Sequence, residues 1–249
     1  ERAHGREIRL GMRFQLDLFV NLRQVRLLND RLCPLKGRTG SDVDMVILRE
    51  NTEGVYADMG GIFKKGTPDE IAINEDINTR KGVERIIRAA FELARKRDGK
   101  KRVCMSDKAN AMRFAHDLWQ RTFREVAREY ADIEASHLYV DVMAMEMVRN
   151  PARFDVVVTN NLFGDILSDL GAGLAGGLGV AASGNINPGQ CSLFEPVHGS
   201  APDIAGKGVA NPMGPILSAA LLRGDLGGTH STEAVGKFIR GLVDEAARG

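Results

Sequence analysis

Residues 154–169 have the sequence FDVVVTNNLFGDILSD, and they predict a strand that leads into a helix. Residues 154–160 contain three consecutive valines, which is typical of a strand buried in the middle of a sheet. From Asp165 onward the chain becomes rich in glycine and alanine, and we expect this segment to be helical. A buried strand followed by a helix is the repeating unit of α/β proteins.

The same alternation extends in both directions along the chain. Residues 79–96 are the clearest helix, because apolar residues recur there at steps of three and four with charged residues between them. A second helix is predicted at 114–130, and strands are predicted at 18–23, 43–49, 70–74, 101–106 and 137–142. Residues 8–18 fit a helix or a strand, and the glycines from 60 to 66 indicate a loop. The whole pattern predicts an α/β fold.

Composition limits the classes of function. With 249 residues, 43% of them apolar, the chain is long enough to bury one large core or two moderate ones. Its 34 basic and 33 acidic residues nearly balance, so neither nucleic acid nor a membrane is expected as the principal partner. The widely spaced Cys33, Cys104 and Cys191 indicate a reduced, cytoplasmic protein without a zinc site. No apolar run is long enough to span a membrane, and no signal peptide is visible.

Three acidic residues form a candidate metal site. Asp165 and Asp169 are four residues apart and therefore share one face of the predicted helix, and Asp141 lies near the end of a predicted strand. Hard divalent cations prefer such oxygen ligands. The alternative is that Asp165 caps the helix while Asp169 is solvated, because acidic residues are favoured in a first helical turn.

Basic and hydroxyl groups form a second candidate set. Arg13, Arg23 and Arg49 each lie at or beside the end of a predicted element, and the planar guanidinium group is suited to binding carboxylates. Lys108 follows a predicted strand, where α/β sheets place their ligands, and Tyr56 follows the turn after Arg49; either could transfer a proton. Taken singly, each is more simply explained as a surface arginine, a solvated lysine or a structural tyrosine.

Residues 195–212 form a long irregular segment, EPVHGSAPDIAGKGVANP, that is compatible with nucleotide binding. Its glycines permit close approach of the backbone, its amides can receive phosphate oxygens, and Asp203 could accept both hydroxyls of an adenosine ribose. No G-x-G-x-x-G sequence follows a first strand, so a dinucleotide would not be bound in the Rossmann manner. An ordered surface loop explains the same residues equally well.

In combination, these sequences resemble the β-decarboxylating dehydrogenase family, which includes 3-isopropylmalate, isocitrate, homoisocitrate and tartrate or D-malate dehydrogenases. The resemblance runs nearly from end to end and is most specific at residues 49–56, 161–169 and 195–212. It implies an isopropylmalate dehydrogenase-like fold of two domains. Residues 1–18 and 176–249 would belong to a first domain that carries the cofactor. Residues 19–175 would form a second domain with the substrate, metal and dimer-interface residues.

The resemblance also implies a role for each candidate residue. Arg13, Arg23 and Arg49 match the arginines that bind the malate carboxylates, Tyr56 and Lys108 match the acid–base pair, and Asp141, Asp165 and Asp169 match the ligands of Mg²⁺ or Mn²⁺. The residues that match NAD-binding positions are Asn110, His198, Gly199, Ser200, Ala201, Asp203, Ile204 and Asn211. In such enzymes Lys108, Asn110 and Asp141 come from the neighbouring subunit, which implies a homodimer with shared active sites.

The implied reaction is the NAD-dependent oxidation and decarboxylation of a 2-hydroxy dicarboxylate. Leu10 precedes the first arginine, as in isopropylmalate enzymes, although Arg9 stands where a second leucine is expected. Residues 107–110 also favour 3-isopropylmalate, with 2-oxoisocaproate as the product in leucine biosynthesis. Residues 33–38 and the glycines at 60 and 61 instead resemble tartrate and D-malate enzymes. Isocitrate and homoisocitrate are further alternatives.

Two departures from the family pattern bear on activity. The family's N-terminal portion, with its Gly-Asp-Gly-Ile-Gly-Pro string, has no counterpart here, and the segment at 222–224 lacks a further helix or two. We therefore expect an incomplete first domain and a chain that is not a competent enzyme by itself. A non-catalytic subunit is the alternative of another class, although every matched site residue is retained.

Overall fold

The computed structural model describes residues 10–97, 99–199 and 201–221. Residues 10–15 are helical. The strands are β1 (Val20–Arg26), β2 (Asp44–Glu50), β3 (Gly60–Phe63), β4 (Ile71–Asn74), β5 (Arg102–Asp107), β6 (Glu134–Tyr139), β7 (Val156–Thr159), β8 (Ala182–Ile186) and β9 (Ser192–Pro196). The helices are α1 (Arg80–Arg97), α2 (Arg113–Ala127), α3 (Val140–Arg149), α4 (Asn161–Ala175) and α5 (Met213–Ala220).

The main sheet is mixed and has the strand order β6-β5-β7-β2-β1-β8-β9. Strands β2, β7, β5 and β6 run parallel, whereas β1, β8 and β9 pair with their neighbours in antiparallel fashion. The residues that follow the four parallel strands therefore emerge at one edge of the sheet. Asn51, Lys108, Val140 and Asn160 occupy these positions.

Both faces of the sheet are buried, which explains the nearly continuous apolar sequence of its central strands. In β2, Val46 and Leu48 face the core that α1 and α2 cover, while Met45 and Ile47 face the core beneath α3 and α4. The core covered by α1 and α2 also contains Trp119, which is 1% exposed. The resulting three-layer arrangement confirms the α/β prediction.

Helix α4 approaches the sheet more closely than a helix with ordinary side chains could. A Cβ atom added to Gly164 would lie 2.5 Å from Cβ of Arg49, and one added to Gly171 would lie 2.5 Å from Cγ2 of Val25. Both distances are shorter than any normal contact, so these two positions on one helical face require glycine. The close packing places the beginning of α4 directly beside the end of β2.

Several boundaries differ from the sequence prediction. The strand predicted at 137–142 ends at Tyr139, and Asp141 lies in the first turn of α3, where the buried Met143 and Met147 show helical spacing. Helix α4 begins at Asn161 with Asn160 as its cap, so the alternative in which Asp165 caps this helix is wrong. The ambiguous segment before β1 is helical at residues 10–15.

Strands β3, β8 and β9 were missed because residues typical of turns occur in or beside them. Strand β3 lies where a loop was predicted, and Gly60 adopts a positive φ of 156° there. Its antiparallel partner β4 confirms the strand predicted at 70–74. Strands β8 and β9 continue the main sheet beyond β1. The proposed domain boundary after residue 175 stays a prediction, and the β8–β9 hairpin on its far side belongs to the same sheet as β1.

Some sequence predictions fall outside the described residues, namely those on Arg9, Ser200 and the segment 222–224. Within the described ranges, none of the helices has both the length and the apolar character needed to cross a membrane.

Replacement of Phe91 by alanine should lower the free energy of unfolding by about 3–5 kcal/mol, because the mutation leaves a cavity in the core. The Phe91 ring is fully buried and stacks on Tyr130 with 4.8 Å between ring centroids. Phe114, which is 87% exposed, provides the matched control, and Phe114→Ala should change stability by less than about 0.5 kcal/mol. Urea titration followed by Trp119 fluorescence measures both, and equal losses would contradict the described core.

Candidate active site

A cavity of about 270 Å³ brings together five of the residues that the sequence singled out. Arg13, Arg23, Arg49, Tyr56 and Asp165 all line it. The remaining wall consists of Leu10, Glu195, Pro196 and Val197. The cavity therefore has a strongly basic side and a side that is largely apolar.

Asp165 is the centre of the polar contacts in this cavity. Its Oδ1 atom forms an ion pair with Nη1 of Arg49 and lies 3.9 Å from Nη2 of Arg23. Its Oδ2 atom accepts a hydrogen bond of 3.0 Å from the hydroxyl of Tyr56. The guanidinium of Arg49 also lies 4.9 Å from the centroid of the Tyr56 ring. The Asp165 side chain is still 39% exposed, so a ligand can reach it.

Two asparagines at the start of α4, Asn160 and Asn161, fix the position of Asp165. Asn160 accepts a hydrogen bond from the backbone N–H of Phe163 and thereby caps the helix. The amide of Asn161 accepts from Nε of Arg49 at 2.8 Å and donates to the carbonyl of Glu53 at 2.8 Å. The start of α4 is thus bonded both to the end of β2 and to the loop that carries Tyr56.

Burial changes the ionisation of the groups around the cavity. Burial, followed by the charge of Arg49, lowers the pKa of Arg23 to about 10, and burial also lowers the pKa of Arg49. Burial and then the negative charge of Asp165 raise the pKa of Tyr56, so its phenol stays protonated at neutral pH. The same two causes raise the pKa of Asp169. An anion beside the arginines and a cation beside the carboxylates would each relieve these unfavourable interactions.

A chain of buried amides, which the sequence analysis did not identify, connects two of the arginines. Nε of Arg23 donates to Oδ1 of Asn21 at 2.6 Å, and Nδ2 of Asn21 donates to Oδ1 of Asn185 at 2.9 Å. Nδ2 of Asn185 donates to Oε1 of Glu195 at 3.0 Å, and that oxygen also accepts from Nη2 of Arg13 at 3.1 Å. Asn21 and Asn185 are both fully buried. The sequence offered no signal for these two asparagines, because their strands, VNLRQVR and ASGNI, contain other polar residues or glycine.

Lys108 and Asp141 form a separate pair and do not line the arginine cavity. Nζ of Lys108 lies 2.7 Å from Oδ1 of Asp141, and this contact lowers the pKa of Asp141. The backbone N–H of Lys108 donates to Nδ1 of the buried His116 at 2.7 Å. Within the described residues, Asp141, Asp165 and Asp169 do not form a three-ligand metal cluster. Only Asp165 and Asp169 are close neighbours in one chain.

The segment predicted to be irregular, 195–212, begins with the last two residues of β9 and is otherwise irregular and mostly exposed. Asp203 and Ile204 lie in a short 3-10 helix, Pro202–Ile204. Oδ1 of Asn211 accepts from the backbone N–H of Met213, which begins α5, and Nε2 of His198 would lie 3.3 Å from a Cβ added to Gly214. Gly199 and Ala201 lie in the same loop, whereas Asn110 lies in the exposed turn after Lys108.

The chain matches one known protein family over almost its whole length. The model described as "Isocitrate/isopropylmalate dehydrogenase" matches residues 2–248. The chain belongs to this family. It is therefore a member of a family of oxidative decarboxylating dehydrogenases, as the resemblance implied.

Individual relatives agree with this membership. The 3-isopropylmalate dehydrogenase of Thermobifida fusca is 49% identical over 245 residues, which cover 98% of this chain and 69% of that protein. The 3-isopropylmalate dehydrogenase of Mycobacterium tuberculosis is 48% identical over 246 residues, covering 98% and 71%. The chain thus spans about seven tenths of the length of these two relatives.

Two solved structures have the same fold as this chain. The isocitrate dehydrogenase of Methylococcus capsulatus superimposes with a TM-score of 0.81 at 42% identity, over 93% of this chain and 65% of that one. The TT0538 protein of Thermus thermophilus superimposes with a TM-score of 0.77 at 43% identity, over 86% and 41% of the respective chains. The predicted isopropylmalate dehydrogenase-like fold is confirmed.

Replacement of Asn185 by alanine should lower the free energy of unfolding by about 2–4 kcal/mol, because the amides of Asn21 and Asn51 lose their buried acceptor. Asn150→Ala is the control, since Asn150 is exposed, and its loss should be below about 0.5 kcal/mol. Urea denaturation measures both variants. A near-neutral Asn185→Ala variant would contradict the buried amide chain.

The buried Glu50, next to Arg49, should make stability depend on pH. Glu50 accepts hydrogen bonds from Thr52 and from the backbone of Glu53, yet burial raises its pKa above the usual 4.5. A raised pKa means that the folded chain holds the proton more tightly than the unfolded chain. The contribution of Glu50 to stability is therefore fully present below 4.5 and is lost as the pH rises through the folded value.

Glu50→Gln removes this titration. The free energy of unfolding of the unaltered chain, minus that of Glu50→Gln, should therefore fall as the pH rises above 4.5. Urea denaturation of both chains over a pH series measures the difference. A difference that is constant with pH, or that increases, would show that the carboxylate is well accommodated when charged.

Proposed function

We propose that this chain supplies the substrate, metal and acid–base residues of an NAD-dependent dehydrogenase that converts 3-isopropylmalate to 2-oxoisocaproate by oxidation and decarboxylation. The observation that supports the proposal is the single cavity in which Arg13, Arg23 and Arg49 meet Tyr56 and Asp165. Curated relatives named 3-isopropylmalate dehydrogenase support the choice of substrate.

The shape of the cavity favours a dicarboxylate with an apolar substituent. Two carboxylates would satisfy the partly desolvated guanidinium groups of Arg23 and Arg49 and displace Glu195 from Arg13. Leu10 and Val197 on the remaining wall would contact an isopropyl group, and they offer no partner for the third carboxylate of isocitrate. The hydroxyl groups of tartrate would be no better matched there.

Asp165 and Asp169 fit the chemistry of a divalent cation. Both offer carboxylate oxygens near the basic side of the cavity, and their mutual repulsion, evident in the raised pKa of Asp169, would be relieved by Mg²⁺ or Mn²⁺. When bound, the metal would polarise the ketone formed by oxidation and stabilise the enolate that remains after carbon dioxide leaves. Asp141 would supply a third oxygen from a second subunit.

Tyr56 and Lys108 would handle the protons. The phenol of Tyr56 stays protonated and already donates a hydrogen bond to Asp165, so it is suited to protonating the enolate carbon or oxygen. Lys108 is an ammonium group in its ion pair with Asp141, so only its neutral amine form would accept the proton of the substrate hydroxyl as hydride leaves for NAD. The loop at 198–211 would hold the adenosine, and Asp203 would accept the ribose hydroxyls.

A homodimer would complete the site, because Lys108 and Asp141 do not line the arginine cavity of their own chain. Exposed apolar side chains are available to form the interface. On the β3–β4 hairpin, Ile62 is 54% and Phe63 is 64% exposed, and on α4 Ile166 is 56% exposed. The cytoplasm and leucine biosynthesis are the expected setting of such an enzyme.

The substrate is tested by calorimetric titration of the purified chain, in the presence of Mn²⁺, with 3-isopropylmalate, isocitrate or D-malate. We expect 3-isopropylmalate to bind at least about tenfold more tightly than the other two, since a mismatched charge in the apolar part of the cavity costs more than about 1.4 kcal/mol. Tighter binding of isocitrate or D-malate would overturn this substrate. NAD reduction by the chain with any of the three would overturn the expectation that it is not a competent enzyme by itself.

The shared site is tested by Mn²⁺ binding, measured by electron paramagnetic resonance. Asp141→Asn and Asp165→Asn should each weaken binding about tenfold or more as homodimers. After the two variants are unfolded and refolded together, each hybrid dimer should regain one intact site, because one of its two sites combines the unaltered Asp141 and Asp165. Ser41→Ala with Asp165→Asn is the control mixture, and its Mn²⁺ binding should not rise on joint refolding, because the Ser41→Ala homodimers already have intact sites. The absence of a rise in the Asp141→Asn and Asp165→Asn mixture would exclude sharing.

A further inference from the structure

A second cavity, of about 390 Å³, lies between helix α2 and the edge strand β6 and shares no lining residue with the arginine cavity. Its floor is formed by the buried Met105 and Phe123. Ala127 at the end of α2 and Ala135 in β6 also line it. Because these two residues carry only methyl groups, the helix and the strand leave a space between them.

Two arginines, Arg124 and Arg128, stand at the side of this cavity, one helical turn apart. They differ from four other arginines of helices α1 and α2. Arg80, Arg88, Arg95 and Arg121 each form an ion pair with a carboxylate. Arg124 instead donates to the amide oxygen of Gln120 at 3.0 Å, and in the part of the chain that the structure describes neither Arg124 nor Arg128 has a carboxylate partner.

His137 lines the cavity on the side of β6 and connects it to the interior. Nε2 of His137 lies 3.1 Å from Oδ1 of Asp107, which is 1% exposed. The imidazole is therefore held in one orientation, with part of its ring facing the cavity. Its NMR signals would report directly on whether the cavity is occupied.

We propose that this cavity binds a small monocarboxylate with an apolar body, separately from the dehydrogenase reaction. The apolar body would contact Met105, Phe123 and the two alanines, and the carboxylate would pair with Arg124 and Arg128. The volume is within the range of about 300–1,000 Å³ that is usual for small-ligand sites. Two arginines that lack carboxylate partners in the described residues, beside an apolar floor, would select both the charge and the apolar character of the ligand.

The first experiment is calorimetric titration of the purified chain with 3-phenylpropanoate, which combines an aromatic body with a carboxylate. Two further compounds separate the contributions: 3-phenylpropanamide keeps the body without the charge, and acetate keeps the charge without the body. We expect 3-phenylpropanoate to bind at least about tenfold more tightly than either. Equal binding of the amide, or equal binding of acetate, would overturn the proposed chemistry.

The site is located with variants of exposed residues, which should leave folding intact. Arg124→Gln/Arg128→Gln should weaken binding of 3-phenylpropanoate about tenfold or more, because both ion pairs are lost. Arg113→Gln/Arg121→Gln removes the same charge from the same helix and should bind like the unaltered chain. If the two double variants bind equally, or if Arg23→Gln alone abolishes binding, the ligand lies elsewhere and the proposal fails.

Two further measurements test whether 3-phenylpropanoate binds in this cavity, without changing the charge of the chain. The ring signals of His137, assigned with a His137→Gln variant, should shift on addition of 3-phenylpropanoate, while those of the buried His116 should not. Ala127→Leu should fill the cavity and weaken binding about tenfold, whereas Ala131→Leu, at an exposed position, should not. Binding that leaves the His137 signals unchanged would overturn the assignment even if the leucine variant failed to fold.

Discussion

The close packing of α4 on β2 is the constraint on which the candidate active site depends. Without a side chain at Gly164, the helix lies near enough to the strand for Asp165 to pair with Arg49, its neighbour on β2. Asn161 strengthens the same junction by accepting from Arg49 and donating to the loop beyond β2. Any larger residue at 164 would separate the acidic and basic halves of the cavity.

This junction also explains why the buried charges are tolerated. Removing a guanidinium group from water is costly, and burial lowers the pKa values of Arg23 and Arg49. Asp165 compensates part of that cost for both arginines, and the amide of Asn21 satisfies Nε of Arg23. The remaining positive charge is directed into the cavity, where an anionic substrate would complete the compensation.

The sequence predicted helices and strands correctly wherever apolar residues kept the spacing of one element type along the segment. Helix α1 and the central strand β2 were predicted to within about one residue, because each has a regular apolar pattern on the faces that it buries. The β8–β9 hairpin was missed because Gly184 and Asn185, normally found in turns, lie inside β8. In that strand the buried amide of Asn185 takes the place of an apolar side chain. The sequence pattern therefore did not indicate a strand there.

The candidate site was predictable as a set of residues but not as an arrangement. Arginines, carboxylates and a tyrosine could be chosen by chemical type, yet their grouping depends on contacts between residues 112 positions apart, such as Arg49 and Asn161. No local sequence pattern indicates a contact between residues so far apart. For the same reason the amides of Asn21 and Asn185, which connect Arg23 to Arg13, had no distinguishing feature in the sequence alone.

The separation of Lys108 and Asp141 from the arginine cavity has a physical basis in the sheet. Both residues follow parallel strands, β5 and β6, at the edge where β2 and β7 also end, but β6 is the outermost strand. The arginine cavity lies toward β1 and β9, on the other side of β2. A single chain thus exposes an acid–lysine pair and an arginine cavity at different places along the sheet. Two chains related by a two-fold axis would form two equivalent sites if each presented its pair to the other's cavity. In the proposed homodimer, the Lys108–Asp141 ion pair would satisfy both side chains until the substrate and metal of the partner's site replaced that contact.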